Sequence, residues 1–444
     1  MSIYNYEEAF GAWDKTTKPM RQAIARWFKL YYGVENEGAD PCQRVAYTVV
    51  NKLVKTIFGE YHVTAHAPFV QRTLKQLDAV RSAAVQLALV GGECYLKPYI
   101  RNGEFAFALI PRDNILIFGR DPLGLPTDVG TVERTAHDKY YYTLLERRQV
   151  DADGYLTIQN QLYRAYSPDK LGTKVALWEL PQYGDLPESY RYETPLYSVG
   201  LVQLKNPMFN CVDGSADGVS VYAAAEGLIG AIDENEAQLR GEFSRGQSRI
   251  LASRDLLRDG KTLSDHLFVG LDEDPEQVGI TIFSPQLREQ SYLARKQEYL
   301  RNVESVIGLK RGLLSDANAQ DRTATEISSS AGDYNLTVID FQAMWQQCLE
   351  QALQLCIRLA DLYQMGPVGD DTFSVDWGNG VLYDEDKTWQ IYQDMVTRGL
   401  LRPEIALGWR FNMPWQTEAQ RAKIRQLYMP TEVVDESTQG VLFS

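Results

Sequence analysis

Two long runs of helical periodicity, separated by a polar, glycine-bearing break, fill residues 287 to 363 and constrain the fold more than any other feature. Before the break, Leu293, Leu300, Val303 and Ile307 recur on one helix face; after it, Tyr334, Val338, Phe341, Trp345, Cys348, Ala352, Leu355, Leu359 and Leu362 step by three and four. A stripe sustained that far predicts a helix of about 40 residues, on the order of 60 Å long. Such a helix needs a large body or neighbouring subunits to cover its apolar side. The pattern therefore points to a mechanical part and away from a catalyst. The break reads GLKRGLLSDANAQDR, residues 308 to 322. Gly308 and Gly312 allow backbone angles that other residues avoid, while Ser315, Asp316, Asn318, Gln320 and Asp321 favour turns and solvent. Thr323 with Glu326 makes a capping-box pattern that restarts the helix, and the Ser328 to Gly332 run predicts a kink near its start. Lys310, Arg311 and Arg322 outweigh Asp316 and Asp321 in charge. The break is either an ordinary surface connection or a functional loop.

The rest of the chain changes period twice. Residues 1 to 40 predict a short helical lead and a loop. From Gln43 to Phe58, Val45, Val49, Val50, Leu53, Ile57 and Phe58 fit one helix face, with Gly59 as its stop; a second helix runs from Val70 to Leu89 and closes at Gly91 and Gly92. Then CYLKPYI, EFAFALI, NILIFG, KYYYTLLERRQV, YLTIQNQLYRAY and KVALWEL alternate with turn signals, which predicts an antiparallel β region over residues 94 to 205. Helical spacing returns from Val219 to Arg245 through Val221, Ala225, Leu228, Ile232, Leu239 and Phe243. Residues 246 to 285 form a small mixed insertion with a basic start (Arg249, Arg254, Arg258, Lys261), an acidic turn and a short strand, ITIF. The flanking helices are expected to pair antiparallel and carry this insertion as a head. After Tyr363, MGPVGDD breaks the helix, and helical signals near 385 to 398, 402 to 408 and 416 to 428 mark a separate region. The last dozen residues are expected to be loose.

Composition narrows the chemistry. With 444 residues and 44% hydrophobic content the chain is long enough for several folded regions with sizeable cores. Its 45 basic and 59 acidic residues give a formal charge of −14, which argues against a general nucleic-acid binder that gains affinity by neutralising phosphates. Cys42, Cys94, Cys211, Cys348 and Cys356 form no CxxC pair and are odd in number, so neither a disulfide framework nor a zinc site is expected. The opening MSIYNYEEAFGAW lacks a signal-peptide pattern, and no apolar run approaches membrane-spanning length. No phosphate-cradling GxxxxGK loop, GxSxG, HExxH or GxGxxG occurs. His62 and His66 have metal-like spacing only on a helix, whereas YHVTAH suits a strand. Asp272, Glu273, Asp274 and Glu276 suit a solvated turn better than a cation site, and Asp384, Glu385 and Asp386 suit the first turn of a helix. No catalytic residue, cofactor or metal is expected. An acid-based hydrolase would need a nominated carboxylate pair, and none stands out.

Read in order, these elements resemble the portal proteins of tailed bacteriophages, of the siphophage type. The likeness is carried by VVNKLVKTIFGE (49 to 60), LALVGGECYLKPYI (87 to 100) with FALIPRDNILIFG after it, YTLLERR (142 to 148) and DGVSVYAAAEGLIGAIDENEAQLRGEF (217 to 243). It continues in IGLKRGLLSDANAQDRTATEI (307 to 327) and RGLLRPEIALGWRFNMPWQTEAQRAKI (398 to 424). The loop departs from the GTFSF-like aromatic version associated with the family. The resemblance implies an α+β subunit: an N-terminal arm (1 to 42), a wing of helices and antiparallel β structure (43 to 218), stem helices (219 to 245 and 286 to 309) and a small α/β clip (246 to 285). It further implies a tunnel loop (310 to 322), a kinked long wing helix (323 to 365), a helical crown (366 to 430) and a flexible tail (431 to 444).

By the same likeness the chain is a non-enzymatic homo-oligomer, usually a dodecameric ring at one capsid vertex in the virion, assembled in the host cytoplasm. Its implied partners are double-stranded DNA in the channel, the major capsid protein and scaffold, terminase during packaging, and then a head-tail adaptor; no membrane is implied. Lys310, Arg311, Ser315, Asn318, Gln320 and Arg322 become the candidates to face DNA. Arg249, Arg254, Arg258 and Lys261 become candidates to meet adaptor or terminase, with a helix-end charge pattern as the alternative for the arginines. A ring-forming connector without DNA passage is the competing expectation.

Overall fold

The computed structural model describes residues 6–33, 43–245, 249–253, 268–271, 280–283, 288–316, 324–378, 385–411 and 413–429. Contacts divide the chain into two compact units, Met1–Asp376 and Trp377–Ser444.

The first unit begins with a one-turn helix α1 (Glu7–Phe10) and continues through α2 (Lys18–Tyr32), α3 (Val45–Ile57) and α4 (Pro68–Gly91). Local chemistry sets these ends. The Thr17 hydroxyl accepts from the Met20 N–H at the start of α2 and Gly33 closes it in the left-handed region; a proline opens α4 and Gly92, at φ 84°, closes it. Helix α4 lies against a three-stranded sheet of order β10-β2-β3, built from β2 (Glu93–Arg101), β3 (Glu104–Pro111) and β10 (Val202–Lys205). Pro98 sits in β2 beyond the β10 pairing, which covers Glu93 to Leu96 only, so its missing N–H breaks no ladder on that side.

A larger sheet has the order β4-β5-β6-β7-β8, with β9 (Ser189–Arg191) also paired to β7. Its strands are β4 (Ile115–Arg120), β5 (Pro126–His137), β6 (Tyr140–Val150), β7 (Leu156–Ala165) and β8 (Thr173–Val175). Every pairing is antiparallel, as the turn-punctuated sequence predicts. The unbroken apolar run of β4 is explained by cover on both faces. Ile115 and Ile117 pack with Tyr95, Val129 and Leu201, while Leu116 and Phe118 pack with Tyr6 and Phe10 of the N-terminal segment.

After residues 219 to 222, helix α5 (Glu226–Arg245) leaves the body and α6 (Glu289–Ile307) returns. Arg288 bonds Glu242 near the far end, Lys296 bonds Glu236, and the Asn235 amide donates to the Tyr292 carbonyl at 3.1 Å, an antiparallel arrangement. Between them along the chain is a three-stranded sheet: β11 (Arg249–Ser253) pairs parallel with β12 (Phe268–Leu271) and antiparallel with β13 (Ile280–Phe283). The long helix α7 (Ala324–Leu362) has 39 residues and packs on α3, α4 and β10. Strand β1 (His62–Ala65) pairs antiparallel with β14 (Phe373–Asp376).

Three details differ from the sequence expectations. Helix α5 starts at Glu226, later than Val219, because the Ser220 hydroxyl and the Val221 N–H are both spent on the Leu89 carbonyl at the end of α4. Ile229 is buried where Leu228 is not, and Phe243 and Leu293, near the far end of the helical pair, are 43% and 46% exposed. The division between the units falls after Asp376, later than 366, because β14 is tied by its ladder to β1.

The second unit contains α8 (Glu385–Thr397), α9 (Pro403–Arg410) and α10 (Glu418–Tyr428). Thr417 and Gln420 form a reciprocal capping box at α10, and Arg425 joins it to α9 through Glu404. Ile424 is fully buried beneath them.

Candidate functional site

The break between the two long helices begins with an ordered turn whose geometry is set by one side chain, Glu304. Helix α6 ends in a Schellman motif: the Leu309 N–H bonds the Glu304 carbonyl at 2.8 Å, the Gly308 N–H bonds the Ser305 carbonyl at 3.4 Å, and Gly308 adopts φ 78°. A side chain at Gly308 would meet the Thr337 hydroxyl of α7 at 2.7 Å, so glycine is required by space as well as by backbone angle. Leu309 turns into the core, the Leu313 N–H returns to the Lys310 carbonyl at 3.1 Å, and Gly312 takes φ 85°. These bonds form a tight turn with Lys310 and Arg311 exposed on it.

The far side of the turn closes on the Glu304 carboxylate, which is fully buried. It accepts from the N–H groups of Gly312 (3.2 Å), Leu314 (2.5 Å) and Ser315 (2.9 Å), and from the Ser315 hydroxyl (2.8 Å). Backbone N–H groups converging in this way make an anion nest, here filled by the chain's own carboxylate. Two more side chains hold the segment. Lys52 of α3 donates to the Leu313 carbonyl, and the Gln297 side chain of α6 accepts from the Asp316 N–H at 2.8 Å.

Of the loop candidates, Lys310 and Arg311 are exposed and Ser315 is 6% exposed, with its hydroxyl turned onto Glu304. Asn318, Gln320 and Arg322 lie outside the described residues. Of the insertion candidates, the backbone of Arg249 opens β11, and Arg254, Arg258 and Lys261 lie outside the described residues. Glu304, Lys52 and Gln297 escaped the sequence reading. The signal for Glu304 was present: it occupies the i+4 place of the Leu300, Val303, Ile307 stripe, where an acid has no reason to be unless something inside bonds it.

A second polar centre joins motifs far apart in sequence. Arg112 is fully buried; it donates to the Ile115 carbonyl, to the Thr16 hydroxyl at 2.8 Å and to Asp217 at 3.0 Å, and Asp217 also receives Arg120 at 2.6 Å. Glu93 lies beside it and accepts from Tyr95, Gln203 and the Gly218 N–H. A Cβ on Gly92 would lie 2.2 Å from the Gly218 carbonyl oxygen, so the two glycines let the end of α4 and the 217 to 219 segment touch by backbone. The fixed anions and cations neutralise one another and leave the cluster structural. Glu146 belongs to a third buried group, with Lys97 and Arg148 each at 2.6 Å. Burial pushes its pKa up, but the Arg148 and Lys97 charges and their hydrogen bonds outweigh that and bring it from 4.5 down to about 2.

Cys94, Cys348 and Cys356 are buried free thiols; burial pushes Cys348 up to about 12, so it is inert as a nucleophile. Among the described residues, no group of His, Cys, Asp and Glu could hold a metal ion, and no helix is long and apolar enough to cross a membrane.

The chain combines a mixed helix and sheet body, an antiparallel helical pair with a small sheet inserted between its helices along the chain, and a cationic turn followed by a long helix packed on that body. Residues 73–426 match the family described as phage portal protein, SPP1 Gp6-like, and the chain belongs to that family. The family is structural in kind, and the role it supports is that of a phage portal protein, a component of the virion capsid. No curated protein matches the chain in sequence.

Proposed function

We propose that this chain forms a ring, of twelve copies by family likeness, at one capsid vertex, and that double-stranded DNA passes along its axis during packaging and ejection. In this reading α5 and α6 are the stem, residues 246 to 285 the clip that docks terminase and then the adaptor, and residues 43 to 218 with α7 the wing. Residues 310 to 322 are the tunnel loop and the second unit the crown. Capsid protein and scaffold meet the outside of the ring, and assembly occurs in the host cytoplasm.

The observation that carries the proposal is the placement of Lys310 and Arg311 on a pinned turn at one end of α6, with the inserted sheet at the other end along the chain. The 19 residues of α6 separate the two by about 28 Å. A channel wall with a formal charge of −14 per copy grips the DNA backbone weakly. A few cations on a fixed turn add contacts that salt readily displaces, which suits a duplex that must slide. Ser315 has an anchoring role here, and the DNA-facing role rests on Lys310, Arg311 and the candidates beyond residue 316.

Mass photometry of the purified protein should show a closed oligomer. Duplex DNA captured by that oligomer should lose affinity with salt, with a slope smaller by about 0.9 for each phosphate contact removed in Lys310→Ala with Arg311→Ala. Monomers under every assembly condition would sink the ring. An unchanged slope in a competent ring would favour a connector through which DNA does not pass.

A further inference from the structure

We infer that Glu304 is the positioning residue that aims Lys310 and Arg311, and that it does so by filling an anion nest that would otherwise be open to phosphate. The inference rests on the tunnel-loop reading only for its consequence at DNA; the geometry stands without it. Glu304 holds both ends of the cationic turn. Its backbone carbonyl receives the Leu309 N–H before the two cations, and its carboxylate receives the Gly312, Leu314 and Ser315 N–H groups after them. Lys52 adds a third point by donating to the Leu313 carbonyl. The turn therefore has little freedom, and the cations move only through their own side-chain torsions.

The filled nest has a functional consequence. Convergent backbone N–H groups in a nest bind phosphate with fixed geometry and no side-chain entropy to recover on release. A conduit lined by open nests would hold a duplex at regular stations. With Glu304 in the nest, phosphates meet side-chain cations in place of fixed backbone donors, and the backbone donors stay satisfied whether DNA is present or not.

Trypsin reads the position of the turn directly, because it cuts after Lys310 and Arg311. In the assembled protein, Glu304→Gln replaces an acceptor oxygen with a donor facing N–H groups. It should raise cleavage at these two sites by about tenfold or more relative to other sites, since proteolysis follows the population of the opened segment. Ser315→Ala and Lys52→Met each remove a single restraint and should raise cleavage at the same sites by less. Should Glu304→Gln fail to fold, this pair decides: selective cleavage at 310 and 311 supports the assignment, and wild-type rates in both overturn it. For a folded Glu304→Gln, an unchanged cleavage rate overturns it. Inorganic sulfate supplies the second readout. It should protect the turn of Glu304→Ala, which empties the nest, from trypsin and leave the wild type unaffected, and equal response in both would contradict the filled nest. Neither readout involves DNA, so a failed tunnel-loop reading and a failed role for Glu304 give different results.

Discussion

At the scale of single residues, the buried charges of Glu146 and Glu304 are each held by several partners. Glu146 illustrates the balance: removed from water, it would favour its neutral form, yet Arg148 and Lys97 at 2.6 Å keep it ionised with a pKa of about 2 against the usual 4.5. The folded state therefore binds fewer protons than the unfolded chain between those two values. Its contribution to stability is complete above pH 4.5 and is lost as pH falls toward 2. Urea melts recorded across that window should show wild-type stability falling with acid, and Glu146→Gln, though weaker at neutral pH, should fall less steeply. Parallel curves would show that the stabilisation of this carboxylate lies elsewhere. Glu304 follows the same rule with neutral donors in place of cations: four hydrogen bonds satisfy a carboxylate that no solvent reaches.

At the scale of elements, the long helix α7 is held from Val338 to Ala360 by the body of the first unit. Trp345 is fully buried, its ring meets Phe58 edge-on with centroids 5.7 Å apart, and its indole N–H donates to the Tyr61 hydroxyl at 3.3 Å. Beside it the Gln342 amide donates to the Ile57 carbonyl that ends α3. Trp345→Ala should cost about 3–5 kcal/mol in denaturant unfolding, the range for emptying a large aromatic site, and a loss under about 1 kcal/mol would mean that α7 is anchored elsewhere. The helix was legible in the sequence because Val338, Phe341, Trp345, Cys348, Ala352, Leu355 and Leu359 are buried in a 3.6-residue rhythm that nothing interrupts. The β region was legible from short runs rich in β-branched and aromatic residues between strong turn signals. The start of α5 was not, since Ser220 and Val221 are claimed by the Leu89 carbonyl, a partner that local pattern does not reveal. The same limit hid the Arg112 cluster. Its members Thr16, Glu93, Arg112, Arg120 and Asp217 are joined only by the folded topology, which brings Gly92 against Gly218. Within the loop, residue types showed that a turn exists but not which acid fills it.

At the scale of the whole molecule, a net charge of −14 and a pinned cationic turn serve different ends. In the proposed ring the acidic total would keep a nucleic acid from adhering broadly, and the turn would supply local contacts that salt and thermal motion release. Apolar side chains near the far end of the α5 and α6 pair, Phe243 and Leu293, are exposed in the single chain, and in the proposed ring they are the positions that neighbouring copies cover. The most direct measurement is a cryo-EM reconstruction of the purified, assembled protein. It should show a closed ring whose bore exceeds the ~20 Å of a B-form duplex, with the turn carrying Lys310 and Arg311 facing the axis. A ring with that turn on its outer surface, or a bore too narrow for a duplex in every conformation, would contradict the proposed DNA conduit.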